Sequence, residues 1–144
     1  MQIRHILQQK GCDIVAISPA MTLENAAQVL AEKRIGALVV KEDQQLAGIF
    51  SERDLVRAIA REGAAALGHA ITTYMTKNVA TCTEADTVEE LMEMMTRGRF
   101  RHVPVLDDRQ SLCGLISIGD VVKSRIAETV SEANSLREYI SATA

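Results

Sequence analysis

The sequence contains an internal duplication. Residues 48–54 (GIFSERD) recur 66 positions later as residues 114–120 (GLISIGD), so Gly-x-x-Ser-x-x-Asp is written twice, each time at the end of an apolar run. Upstream, the helical apolar patterns that begin at Thr22 and Thr87 match with an offset of 65. Such a repeat predicts two similar folding units, with function at matched positions in clefts that the units form together.

Each unit has the pattern of a short strand, a helix, a strand, a hairpin, a strand and a second helix. The first short strand is expected at residues 14–17 in one unit and at 79–81 in the other. The offset grows from 65 to 66 inside the second hairpin turn, residues 107–111, where an insertion is well tolerated. These patterns divide the chain into a first repeat at 10–66, a second repeat at 70–126 and a C-terminal helical extension at 127–144.

Composition restricts the class of protein. With 47% apolar residues, 24% charged residues and a net charge of −3, the chain is typical of a soluble globular protein and has no general attraction for nucleic acid. It contains no run of about 18 apolar residues that could span a membrane, and its N-terminus does not resemble a signal peptide. We therefore expect a cytoplasmic protein that binds neither membrane nor nucleic acid.

The ordered elements and both terminal motifs resemble the cystathionine β-synthase (CBS) domain family, over roughly residues 10–126. The resemblance implies an α+β fold of two tandem β-α-β-β-α repeats, with mixed sheets packed as an intramolecular pseudo-two-fold pair. It also implies a non-catalytic sensor of adenosine-containing ligands. The expected ligand is AMP, with ADP, ATP, NAD(H) and S-adenosylmethionine as alternatives. Such modules form homodimers and regulate a partner protein.

The repeated serine and aspartate can act on a nucleotide. An ionised carboxylate such as that of Asp54 or Asp120 can accept both hydroxyls of a ribose, and the start of a helix favours its charge. Ser51 and Ser117 can bond a phosphate together with free backbone N–H groups at the same helix start. The alternative is that each Ser-x-x-Asp is only a capping box. Two copies in register, each preceded by glycine, favour ribose and phosphate.

Positive charge is concentrated at residues 97–102 (RGRFRH), and the guanidinium of Arg101, next to His102, can clamp a phosphate. The first repeat has Gly36 and Ala37 in the matching place, which leave room for a ring. Arg53 can supply charge to the Asp54 site, whereas Gly119 occupies that position in the second motif.

By the resemblance, each site is built from both repeats. The Asp120 site would include Ile17, Ser18 and Thr22 with the Gly36–Ala37 pair, and the Asp54 site would include Thr81 and Thr87. Backbone groups at Ile17 and Thr81 are expected to read the adenine edge, whereas Thr22 and Thr87 are better explained as helix N-caps. Gly48 and Gly114 are explained by close strand packing or a bulge.

Two other classes of function are the alternatives. In a structural or interaction module the clefts are vestigial, and the apolar stripe of the last helix docks a partner. A small nucleotide-hydrolysing enzyme is disfavoured, because we find no phosphate-binding loop, no nucleophile elbow and no set of bases or metal ligands. The three histidines and three cysteines lack the spacing of a metal site, so no metal and no catalytic cofactor is expected. The stripe consists of Val122, Ile126, Val130, Ala133, Leu136 and Ile140.

Overall fold

The computed structural model describes residues 1–143, which form five α-helices and five strands in two small sheets. The helices are α1 (Ile3–Lys10), α2 (Leu23–Lys33), α3 (Glu52–Glu62), α4 (Val88–Gly98) and α5 (Ile118–Thr143). The strands are β1 (Ala16–Ile17), β2 (Ala37–Glu42), β3 (Gln45–Ser51), β4 (His102–Leu106) and β5 (Leu112–Ser117). Two 3₁₀ helices, Gly63–Gly68 and Ile71–Thr73, join the halves.

The first sheet is mixed, as predicted, because β1 runs parallel to β2 and β2 runs antiparallel to β3. The second sheet is the antiparallel pair β4–β5. The strand predicted at 79–81 is wrong: only Cys82 pairs, in a parallel bridge with Val105. The first strand is also shorter than predicted, and it begins at Ala16. In both repeats the residues just before the pairing leave the sheet.

The segment that precedes each repeat is hydrogen-bonded to the other repeat. Ile3 N donates to Asp86 O (2.9 Å) and Val88 N donates to Met1 O (2.8 Å). In the matching exchange, Ile71 N donates to Met21 O (2.9 Å) and Leu23 N donates to His69 O (2.9 Å). Each segment thus lies beside the threonine that caps the opposite repeat's first helix, so the two halves interlock reciprocally.

Side-chain packing follows the same exchange. Ile3, Ile6 and Leu7 of α1 are buried in the cluster formed by the second repeat, among residues such as Val103 and Ile116. Ile71 is buried in the cluster of the first repeat. The ranges 10–66 and 70–126 divide the sequence, but each hydrophobic core crosses that division.

The hairpin turns explain the change of offset. The β2–β3 turn is formed by Asp43 and Gln44, both with positive φ, as a two-residue hairpin loop requires. The longer β4–β5 turn is built around Asp107, whose carboxylate accepts from Arg109 N and Ser111 N, both at 2.9 Å. The extra residue is accommodated by this side chain.

The last helix leaves the core after its first turns. Val121 and Ser124 are buried, whereas every residue from 129 to 142 is exposed, including Val130 at 54%. The predicted extension is therefore helical to residue 143, and Ala144 lies outside the described residues. No helix within residues 1–143 is both long and apolar enough to cross a bilayer.

Gly48 and Gly114 sit where strand irregularity and close packing coincide. Gly48 pairs with Val40, and Gly114 pairs with Val105. In each sheet this is the last regular pair before a register shift. A Cβ on Gly48 would lie 2.5 Å from the backbone oxygen of Thr76, and one on Gly114 would lie 2.6 Å from the end of the Leu7 side chain. The structural explanation of both glycines is confirmed.

We expect Gly48→Ala to destabilise the fold by about 1–3 kcal/mol, because a backbone oxygen cannot move aside as a side chain can. Gly114→Ala should cost less, since Leu7 can change rotamer. The control is Gly68→Ala, where a Cβ meets nothing within 4 Å. Urea denaturation of the three variants measures the loss of unfolding free energy in each. Equal losses for Gly48→Ala and Gly68→Ala would contradict the predicted ranking.

Candidate functional site

Both Ser-x-x-Asp motifs form reciprocal capping boxes at the junction of a strand and a helix. In the first, Asp54 Oδ2 accepts from Ser51 N (2.9 Å) and Ser51 Oγ (3.1 Å), and Asp54 N donates back to Ser51 Oγ (3.3 Å). In the second, the corresponding distances at Ser117 and Asp120 are 2.9, 3.0 and 3.2 Å. The capping explanation therefore holds for both, and it fixes each carboxylate through one of its two oxygens.

The boxes are tied to the start of the neighbouring strand. Glu52 N donates to Gly36 O (3.0 Å), and Ile118 N donates to Arg101 O (2.7 Å). The first backbone N–H of each helix, which we predicted to bond a phosphate, is therefore already bonded to the protein. The next amides, Arg53 N and Gly119 N, remain as helix-start donors.

A cavity of about 330 Å³, here called the Ser117 cleft, lies between the halves beside the second box. A smaller pocket of about 150 Å³, here called the Asp120 pocket, adjoins it and shares Lys10 with it. The residues of the Ser117 cleft include Lys10, Ile14, Val15, Gly36, Ala37, His102 and Ser117.

A cavity of about 370 Å³, here called the Ser51 cleft, lies beside the first box. It adjoins a pocket of about 150 Å³, the Val79 pocket, which contains Asn78, Val79 and Ala80. Gly36 and His102 line both main clefts, so the two clefts meet at this pair. The residues of the Ser51 cleft include Gly36, Ser51, Arg53, Phe100, Arg101 and His102.

The structure brings most of the expected polar residues to these cavities. The two serines, Arg53, Arg101 and His102 line the main clefts with Gly36 and Ala37, and Asp120 lines its own pocket. Arg53 also reaches the other half, because its Nη1 donates to Arg99 O (3.2 Å). Asp54, only 6% exposed, lies beneath Ser51 and outside the lining of these cavities.

Other expected residues lie elsewhere. Ile17 is buried in the first core, Ser18 Oγ accepts from Ala20 N (3.2 Å) in a turn, and Thr81 is half-buried just before Cys82. Thr22 and Thr87 cap α2 and α4, accepting from Asn25 N (3.2 Å) and Glu90 N (3.1 Å). Gly119 is exposed on the first turn of α5.

The residues that line the clefts in place of Ile17 and Thr81 come slightly earlier in the chain. They are Ile14 and Val15 in one half and Val79 and Ala80 in the other, again offset by 65. Ile17 and Thr81, the residues predicted to contact adenine, lie one to three positions after them in the chain, because the predicted strands began earlier than the observed pairing. Lys10 was missed altogether, since no pattern relates it to a residue 110 positions away.

Lys10 and Asp120 form an ion pair next to the Ser117 cleft. Lys10 Nζ lies 2.7 Å from Asp120 Oδ2. Burial by itself would raise the pKa of Asp120, but the hydrogen bonds from Lys10 and Ser117 outweigh it and hold the pKa below its usual value. Asp120 is therefore a carboxylate at neutral pH.

The surroundings of His102 favour its uncharged form, whereas those of Asp120 favour its charged form. Burial lowers its pKa, an effect that Lys10 and Arg101 reinforce and that Asp120 and Glu52 oppose. The neutral ring is therefore favoured at the meeting point of the two clefts.

The buried thiol near this region is unreactive. Burial raises the pKa of Cys82 to about 12, so it remains a thiol and not a nucleophile. Within residues 1–143 no group of three or more histidine, cysteine or acidic side chains could hold a metal ion.

We expect the stability of the protein to fall as the pH drops below about 6.5, the ordinary pKa of histidine. The lowered pKa of His102 means that the unfolded chain binds its proton more readily than the folded chain does. His102→Gln should therefore flatten the loss between pH 7 and 5, measured by urea unfolding at several pH values. The contribution of Asp120 is lost only below about pH 4, so the two effects are separable. An identical slope in the variant would contradict this expectation.

Comparison with known proteins identifies the repeats. The CBS domain model matches residues 4–61 and 71–127. The CBS domain-containing protein CBSX3, mitochondrial, of Arabidopsis thaliana is 36% identical over 124 residues, which cover 83% of this chain and 60% of that protein. This chain thus spans less than two thirds of that relative's length.

Solved structures have the same fold. The crystal structure of the CBS-domain containing protein ATU1752 from Agrobacterium tumefaciens is 48% identical, covers 87% of this chain and 99% of that chain, and gives a TM-score of 0.84. The crystal structure of CBSX2 in complex with AMP gives a TM-score of 0.75 at 21% identity, covering 89% of this chain and 98% of that chain. The duplicated motif, the two capping boxes and these matches together lead to one assignment: the chain belongs to the CBS domain family and contains a tandem pair of CBS domains.

Proposed function

We propose that this protein is a non-catalytic regulatory module that binds an adenosine nucleotide, AMP first among the candidates, in the clefts between its two CBS repeats. The observation that carries the proposal is the pair of cavities, about 330 and 370 Å³, each lined by the serine of one capping box. Both volumes lie within the range of about 300–1,000 Å³ typical of small-molecule sites. The complex of AMP with a protein of the same fold supports this class of ligand.

The phosphate of the nucleotide would lie where positive charge converges. Arg53 and Arg101 line the Ser51 cleft and outnumber its one carboxylate, Glu52, while His102, Ser51 and the Arg53 amide add neutral donors. An arginine fork suits a phosphate because it can donate two parallel hydrogen bonds. The helix start favours the same charge.

The adenine would lie against the backbone that leaves the sheets. Ile14, Val79 and Ala80 line the cavities, and their backbone groups make no hydrogen bond to other described residues. Their N–H and C=O groups are therefore free to pair with the purine edge. This assigns to Ile14 and Val79 the role that the sequence had given to Ile17 and Thr81.

The ribose would bind the two aspartates unequally. Asp120 borders an open pocket, whereas Asp54 is 6% exposed and must be uncovered before a hydroxyl can reach it. An anionic acceptor strengthens such a hydrogen bond relative to a neutral one. Asp120 is therefore the principal ribose ligand in the proposal.

We expect AMP to raise the melting temperature of the wild-type protein, because a ligand that binds only the folded state stabilises it by about 2.7 kcal/mol at 100 times Kd. Asp120→Asn should reduce the shift more than Asp54→Asn does, with AMP affinity lowered roughly tenfold or more by loss of the charged acceptor. Asp43→Asn, in the β2–β3 turn, is the control, since its positive φ suits asparagine. Thermal shift and calorimetry measure both quantities. If AMP, ATP, NADH and S-adenosylmethionine all leave the wild-type protein unshifted, the proposal is wrong.

The signal would pass through a homodimer formed by α5. Val122, Ile126, Val130 and Leu136 are 50–59% exposed, and they lie within one sector of the helix. A helix that projects from the core is only marginally stable alone in water, so burial of this stripe is favoured. A second copy presents the same stripe, as a two-fold dimer requires. The regulated protein would then sense the dimer's shape.

We expect Ile126→Glu to convert the dimer to a monomer, because it places a charge in the centre of the apolar contact. Ser131→Glu is the matched control: Ser131 is exposed and lies seven residues after buried Ser124, on the side of the helix away from the stripe. Native mass spectrometry or analytical ultracentrifugation gives the masses. Dimers in both variants, or monomers in the wild-type protein, would exclude this interface. A dimer that binds no ligand would favour an interaction module with vestigial clefts.

A further inference from the structure

The Ser117 cleft has two cations that the proposed function does not use, Lys10 and Arg34, and of these Lys10 is the one bonded to Asp120. It is the last residue of α1, and its ammonium donates to both Leu115 O (2.8 Å) and Asp120 Oδ2 (2.7 Å). It lines the Ser117 cleft and the Asp120 pocket together. Its side chain therefore occupies the carboxylate to which the proposed function assigns the ribose.

The other half of the molecule has no such cation. There, Ile49 O accepts from Thr76 N (2.9 Å), so a backbone amide takes the place that the ammonium of Lys10 takes on Leu115 O. Asp54 accepts hydrogen bonds from Ser51 and from no other described residue. The difference arises because α1 continues to Lys10, whereas the matching 3₁₀ helix ends at Thr73.

Lys10 fills the acceptor capacity of one Asp120 oxygen. Oδ2 already accepts from Ser117 N (2.9 Å) and Ser117 Oγ (3.0 Å), so Lys10 is its third donor. A ribose diol that uses both carboxylate oxygens must displace the ammonium from Oδ2. Asp13, the carboxylate that lines the Ser117 cleft, is exposed, and an exposed ion pair with it would compensate little.

A phosphate on the ligand supplies the missing anion. An ammonium displaced from Asp120 remains beside the Ser117 cleft, where a 5′-phosphate can accept its hydrogen bond. Uncharged adenosine has no such group. When it binds, the Lys10–Asp120 ion pair is lost and only neutral hydroxyls replace it on the carboxylate.

We propose that Lys10 is a specificity-determining residue that makes the Ser117 cleft select 5′-phosphorylated adenosine over uncharged adenosine. The inference rests on the proposed function and adds the discrimination between ligands. Lys10 competes with the ribose for Asp120, and it donates a hydrogen bond to a 5′-phosphate. Both effects favour AMP over adenosine. The Ser51 cleft lacks this device and takes its phosphate selectivity from its arginines alone.

The test is a titration of the full-length protein with AMP and with adenosine, followed by NMR of backbone amides. Gly119 reports on the Ser117 cleft and Arg53 on the Ser51 cleft, so that a dissociation constant is obtained for each. The variants are Lys10→Met, which removes the charge, and Lys10→Arg, which keeps it. The matched control is Lys33→Met: Lys33 is exposed at the end of α2, as Lys10 ends α1, and it lines none of the cavities described above.

At Gly119 we expect the wild-type protein to bind AMP more tightly than adenosine, with a preference that falls about tenfold in Lys10→Met, the size of a partly exposed charged hydrogen bond. Adenosine should gain affinity in that variant, and AMP should lose it. Lys10→Arg and Lys33→Met should keep the wild-type preference. An unchanged preference in Lys10→Met, or an equal change at Arg53, would overturn the role of Lys10 while leaving the proposed function intact. If neither ligand shifts any amide of the wild-type protein, both proposals fall.

Discussion

The reciprocal exchange between the two repeats is the constraint on which the rest of the structure depends. Met1 and Ile3 pair with the residues around Thr87, and His69 and Ile71 pair with those around Thr22. Each repeat therefore completes its core with a segment that comes before the other repeat. One repeat alone would leave that surface uncovered, so the two repeats depend on each other for a complete core.

The capping boxes connect this architecture to chemistry. A box fixes the direction of the helix relative to the strand, and the amide after each serine is bonded to the start of the adjacent strand. These backbone bonds hold each serine and aspartate next to the start of the adjacent strand, at Gly36 in one half and Arg101 in the other. Their relative positions therefore do not depend on a flexible side chain. Each box bonds only Oδ2 of its aspartate, so the cap can remain in place while a ligand contacts the carboxylate.

The two halves have become chemically different within the same geometry. Arg53 and Arg101 give the Ser51 cleft a guanidinium environment, whereas Lys10 and Asp120 form an ion pair next to the Ser117 cleft. His102 lies at the meeting point and is neutral because it is buried. The two clefts share this residue and the Gly36 backbone beside it.

The amino-acid sequence by itself determined the duplication, the order of helices and strands, the fold class and both capping boxes. These depend on local patterns of apolar spacing, turn residues and helix caps, all of which are read within a few residues. The tertiary structure alone decided that Ile14 and Val79, not Ile17 and Thr81, border the clefts, since strand ends depend on pairing with a distant partner. It also decided that Asp54 is covered and that Lys10 meets Asp120, contacts between residues that are far apart in sequence and brought together only when the segments exchange.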